Sequence, residues 1–81
     1  MLTEYINAAM RKAVYEILPE DKSYYGEIPG FQGVYANADT LEECREDLRS
    51  GLEGWIILGL QLGHTLPVVD GISLAFQESA G

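Results

Sequence analysis

The side chains with the chemistry to act on a substrate or to hold an ion are few. They are one histidine, one cysteine, five tyrosines and thirteen acids in 81 residues. His64 stands just beyond an apolar helical run. A histidine general base needs a partner acid and a pocket, and the sequence sets neither beside it, so His64 reads as a solvated or helix-ending residue. Cys44 falls one turn into the main helix. A helix N-terminus can activate a thiolate, but a cysteine on a core-facing stripe behaves as a small hydrophobe, and Cys44 reads that way. Glu16 and Glu27 fall on paired strands, where two carboxylates can bind a divalent cation. No third acid joins them, so neither a metal nor another cofactor is expected. Tyr15, Tyr24, Tyr25 and Tyr35 would suit a sheet that stacks single-stranded RNA, yet only Lys12 and Lys22 lie near them, which favours a core or interface role. The glycines Gly30, Gly33, Gly51, Gly54 and Gly59 match neither a dinucleotide fingerprint nor a phosphate loop. The expectation is a binding protein and not an enzyme.

These residues must be positioned by short elements. Leu2, Tyr5, Ile6, Ala9 and Met10 have helical spacing, so residues 2–10 are read as an amphipathic helix. Residues 12–18, KAVYEIL, are β-branched and aromatic and read as a strand. The polar turn 19–23 leads into a strand at 24–28, with Tyr24, Gly26 and Ile28 on one face and Tyr25 and Glu27 on the other. Pro29-Gly30 ends it. A third strand follows at 33–37 with Val34 and Ala36 on one face. Loops this short imply an antiparallel meander.

Asp39-Thr40 opens the main helix, and Thr40-Leu41-Glu42-Glu43 has the form of a capping box. Leu41, Cys44, Leu48, Leu52, Trp55, Gly59 and Leu62 make its apolar stripe. Gly63 fits the position after a helix end, and Pro67 bars continuation. A final strand is expected at 72–76 and a frayed tail at 77–81. The fold class is therefore α+β: a three-stranded antiparallel meander plus a long helix and a final strand, β-β-β-α-β, with an extra N-terminal helix. The whole of 1–81 reads as one domain, with 1–11 the helix and 12–76 the core.

In its second half the main helix is apolar nearly all round, with Trp55, Ile56, Ile57, Leu58, Leu60 and Leu62. One sheet cannot cover every direction, and an exposed patch of that kind invites association. A dimer or tetramer with Trp55, Ile56, Leu58 and Leu60 at its interface is one expectation. Cover by residues 2–10 and by the segment after His64 is the other.

Five Lys/Arg against thirteen Asp/Glu give a net charge of −8. Such a surface disfavours direct contact with nucleic acid, whose phosphates need cations, and favours a basic partner. The longest apolar stretch, 55–62, is far short of the ~20 residues that span a bilayer. The N-terminus lacks the form of a secretory signal. A lone cysteine adds no disulfide, and together these features point to the cytoplasm.

The fragments Tyr24–Tyr25–Gly26–Glu27–Ile28–Pro29, Gly33–Val34–Tyr35–Ala36 and Asp39–Thr40–Leu41–Glu42–Glu43–Cys44, in that order, resemble the HicB antitoxin family. Gly63–His64–Thr65–Leu66–Pro67 resembles the motif that follows the helix in that family. The likeness runs from Ala13 to Phe76. It departs at Gly30, Phe31-Gln32, Ala38 and Cys44, in turns and packing positions. The resemblance implies a truncated ribonuclease H-like fold without nuclease activity. It also implies a small basic mRNA-interferase toxin as partner, neutralised by covering its active site. Many relatives carry a DNA-binding domain after the last strand. None is expected here, nor is operator binding. Glu16, Glu20, Asp21 and Glu27 are the candidate partner-binding acids, and Glu42, Glu46 and Glu53 on the helix offer a second surface. The alternative is an orphan homo-oligomeric structural or small-ligand-binding module with no toxin.

Overall fold

The computed structural model describes residues 2–74. Its elements run α1 (Leu2–Arg11), β1 (Val14–Ile17), β2 (Tyr24–Glu27), β3 (Tyr35–Ala38) and α2 (Leu41–Gln61). The strands form one antiparallel sheet in the order β1-β2-β3. The meander, the long helix and the N-terminal helix stand as the sequence implies, but β1 and β2 are shorter than expected and β3 is shifted, starting two residues and ending one residue later.

Register decides what faces the core. Tyr15, Gly26 and Ala36 lie in one cross-strand row, and Ile17, Tyr24 and Ala38 in the next. Alternation turns both rows towards α2. The row at the centre is small by necessity. A Cβ at Gly26 would lie 2.8 Å from the Tyr15 ring and 3.2 Å from Cys44 Sγ. With no side chain there, α2 settles closely onto β2 and β3.

Along α2 the buried positions are Cys44, Leu48, Leu52, Ile56 and Gly59. The first four are fully dry and recur every fourth residue, one helical face. This corrects the expected stripe: Leu41 and Leu62 are 46% and 59% exposed, and Ile56 is a core residue. The reason is that the covering layer does not run straight along the helix. The sheet covers its first half. The second half is covered by Tyr5 of α1, by Phe31 from the β2–β3 loop and by Leu66 from the segment after α2. Phe31 touches both Tyr5 and Trp55, with ring centroids 6.3 and 5.1 Å apart. Leu66 fits because Gly59 has no Cβ; one would stand 2.8 Å from Leu66 Cδ2. The Tyr5 hydroxyl donates to the Pro67 carbonyl, tying α1 to that returning segment.

Both ends of α2 are capped. Thr40 Oγ1 accepts from the Glu43 amide at 3.1 Å. At the other end the His64 amide donates to the Gly59 carbonyl at 2.8 Å and the Gly63 amide to the Leu60 carbonyl at 3.2 Å, the paired bonds of a Schellman motif.

Beyond it, Val69 and Ile72 form an isolated antiparallel bridge around Asp70 (φ 50°) and Gly71 (φ 78°). Two successive left-handed residues make the tight turn that Asp-Gly favours. Among the described residues the expected last strand is present only as Ile72 in this bridge, since the turn pairs the segment with itself. Phe76 and the expected tail 77–81 lie outside the described residues.

At two glycines in α2, Gly51 and Gly54, an added Cβ would meet nothing within 4 Å beyond the adjoining helix backbone. Gly51→Ala and Gly54→Ala should each raise the unfolding free energy by about 0.5–1 kcal/mol, the helix-propensity difference. Gly26→Ala should lower it by about 1–3 kcal/mol through overpacking. Urea midpoints of the three variants check both signs.

Candidate functional site

The sheet face turned away from α2 carries Val14, Glu16, Tyr25, Glu27, Tyr35 and Asn37, and no Lys or Arg. The hairpin register places Glu16 opposite Tyr25 and Glu27 opposite Val14. The two glutamates are thus diagonal neighbours on one exposed face, as their sequence positions imply. Tyr25 and Tyr35 stack beside them, with centroids 6.3 Å apart and planes 23° from parallel. The Tyr25 hydroxyl donates to Glu27 Oε1 at 3.1 Å. Desolvation, followed by that hydrogen bond and the neighbouring charges, pushes the Tyr25 phenol above its ordinary pKa. A shallow hollow of about 270 Å³ opens among Val14, Tyr15, Glu16, Tyr25 and Glu27. The face offers carboxylate acceptors beside flat aromatic surface, a combination that suits guanidinium and ammonium groups.

The loop acids divide. Glu20 lies exposed in the turn between β1 and β2. Asp21 is occupied: its Oδ1 accepts from the Ser23 amide at 3.0 Å and the Ser23 hydroxyl at 2.7 Å. These bonds hold the Asp21 carboxyl below the usual range. Asn37 extends the network, donating to Ser23 Oγ and to the Tyr24 carbonyl, each at 2.8 Å. Asp21 therefore shapes the turn, while Glu16, Glu20 and Glu27 remain exposed.

On α2, Glu42, Glu46 and Glu53 are exposed. Glu53 is partly neutralised by Arg49, 3.6 Å away on the same helix. His64 is exposed and engaged through its backbone. Cys44 is fully buried, its thiol pushed up by desolvation and then by the Asp47 charge. Among the described residues no cluster of three or more His, Cys, Asp or Glu has metal-site geometry, and no helix is long and apolar enough to cross a membrane.

Of the four residues expected at a subunit interface, Ile56 is fully buried within the single chain, and Trp55 and Leu60 are half-buried against the core. Leu58 is 54% exposed. Ile57, Leu62 and Val68, with 54%, 59% and 64% exposure, complete the apolar surface at this end.

Sequence reasoning missed Asp70. It draws Lys12 Nζ to 3.0 Å and an Arg11 terminal nitrogen to 3.7 Å, joining the end of α1 to the turn after α2. The signal was the Asp-Gly pair between apolar residues in Val68–Val69–Asp70–Gly71–Ile72, a strong hairpin pattern.

A helix packed on one side of a three-stranded meander, with an acidic aromatic face exposed on the other, defines a small α+β domain. A family model described as UPF0150-like matches residues 4–67, and the chain belongs to that family. Its fold is shared by the crystal structure of TTHA0281 from Thermus thermophilus, which is 36% identical, covers 95% of each chain and superposes with a TM-score of 0.88. No curated protein matches the sequence.

Lys12, then Arg11, hold the Asp70 carboxyl below its ordinary pKa. A carboxylate depressed in the folded state contributes stability above its unfolded pKa, and that contribution disappears as pH falls through the lower folded value. Asp70→Asn, which tolerates the same positive φ, should melt below the parent at pH 7. The gap should close as the pH drops beneath the normal carboxylate range, as read by thermal melts across pH.

Proposed function

We propose that this chain is a HicB-like antitoxin-type binding protein without catalytic activity of its own. In this reading it neutralises a small basic mRNA-interferase toxin by covering the toxin's active site, in the cytoplasm. The observation that carries the reading is the outer sheet face. It sets Glu16 and Glu27 beside the stacked Tyr25 and Tyr35 with no cation among them. Membership of the UPF0150-like family and the order of HicB-like motifs support it. The net charge of −8 supports it as well, because complementary charge speeds encounter and selects partners.

Glu16 and Glu27 are the central contacts in this proposal, Glu20 adds charge at the rim, and Asp21 acts by holding the turn. Glu42, Glu46 and Glu53 on α2 are the second candidate surface, with Arg45 and Arg49 interspersed among them.

A second reading is favoured by Leu58, Leu62, Ile57 and Val68, which leave apolar surface exposed at one end of α2. It is a homo-oligomeric module, a dimer or tetramer, whose contact is this end. The two readings are compatible, since the sheet face and the helix end are different surfaces.

This reading expects a basic chain of a few dozen residues encoded beside this gene, and co-expressing the two should restore growth that the basic chain alone arrests. Glu16→Lys/Glu27→Lys should abolish that rescue and slow association about tenfold or more at low salt, with the melting temperature unchanged. Unaltered association would refute the sheet-face assignment. Separately, light scattering should report an oligomer for the parent chain and a monomer for Leu58→Glu.

A further inference from the structure

Arginine is scarce here and unevenly placed. Of five Lys and Arg in the chain, Arg11, Arg45 and Arg49 line one groove of about 470 Å³ between α1 and the start of α2. Its apolar lining includes Met10, the half-buried Tyr15 ring and Leu41, the last 46% exposed. One acid, Glu42, also lines it, so guanidinium groups outnumber carboxylates three to one.

The three arginines differ in what already holds them. Arg11 lies 3.7 Å from Asp70, a long contact whose carboxylate is shared with Lys12. Arg49 donates to Asn7 Oδ1 at 3.1 Å and lies 3.6 Å from Glu53. Among the described residues Arg45 has no carboxylate within 4 Å. It lies near enough to Tyr15 for its charge to pull against the burial that raises that phenol's pKa. Arg45 and Arg49 are also four residues apart on one helix, and like charges so spaced repel. An anion between them would remove that repulsion.

We propose that this groove binds a small organic oxyanion, a carboxylate or phosphate monoester carried on a ring or short apolar body. The planar donor forks of arginine match both groups, and the Met10, Tyr15 and Leu41 lining suits the apolar body. The volume is that of a small-molecule site. An extended polyanion does not suit it: Glu43 and Glu46 stand on the adjoining surface beside Arg45 and Arg49, and would repel a chain of phosphates while leaving room for one isolated anion. Glu16 and Glu27 do not line the groove, which meets the outer-face hollow only at Tyr15, and the inference does not rest on the toxin-binding reading.

The test uses the full chain alone, titrated separately with phenyl phosphate, benzoate and inorganic phosphate and followed by amide NMR. Saturable shifts confined to the end of α1, Tyr15 and the first turns of α2 are expected for at least one aromatic probe. Whichever of the two binds tighter identifies the preferred head group. Inorganic phosphate should bind at least about tenfold more weakly than the better probe, because it lacks the apolar body. Arg45→Gln should weaken that probe about tenfold with its melting temperature unchanged, and Arg45→Lys should fall between. No saturation by about 10 mM with either aromatic probe, inorganic phosphate binding as tightly, or parent-like affinity in Arg45→Gln would each overturn the proposal.

Discussion

The close seating of α2 on β2 and β3 has no tolerance for a side chain at Gly26. Cys44 Sγ comes within 3.6 Å of the Ala36 carbonyl, and Tyr15 closes over the space a larger residue would need. Because the helix sits so low, its stripe at 44, 48, 52 and 56 is sealed by three short strands of four residues each together with the segments that continue the cover. The outer face of the sheet then has little structural duty beyond the hydrogen bonds of Asn37 to Ser23 and Tyr24. That freedom is why two glutamates and two stacked tyrosines can occupy a face that contributes little to the core.

A three-stranded sheet is too short to cover a helix of 21 residues. The remaining length is covered by pieces from three other places in the chain: Tyr5, Phe31 and Leu66. The link from the Tyr5 hydroxyl to Pro67 and the link from Asp70 to Arg11 and Lys12 tie the first element to the segment after the last. These polar ties do for the helix end what a longer sheet would otherwise do. The second of them also draws cations to that end of the molecule: Lys12 lies 3.0 Å and Arg11 3.7 Å from Asp70. The outer sheet face keeps its acidity for a separate reason: strand register places no Lys or Arg on it.

The elements were legible because each carries a local signal. Period-two alternation marks β2, Thr40 and Gly63 bracket α2, and Pro29-Gly30 separates β2 from β3. The shared face of Glu16 and Glu27 followed from strand parity alone. What could not be read was tertiary in origin. Ile56 joins the core and Leu62 leaves it because Phe31 and Leu66 arrive from segments with no periodicity. Asp21 looked like a free acid, but Ser23 two residues on turns it inward to the backbone. Asp70 took its role from Lys12, 58 positions earlier in the sequence, a distance no local pattern spans. The arginine groove is likewise an assembly of α1 and α2 that neither helix announces.

Cys44 is the one sulfur nucleophile in the chain, and it is shut between helix and sheet. Reagents and oxidants in solution reach it only when α2 lifts away, so covalent dimers through sulfur are blocked in the closed state. Its alkylation rate under native conditions is thus a clock for that lifting, already built into the molecule and needing no introduced label. Anything that clamps the helix, whether a partner on the far face or an anion between the helices, will slow the clock.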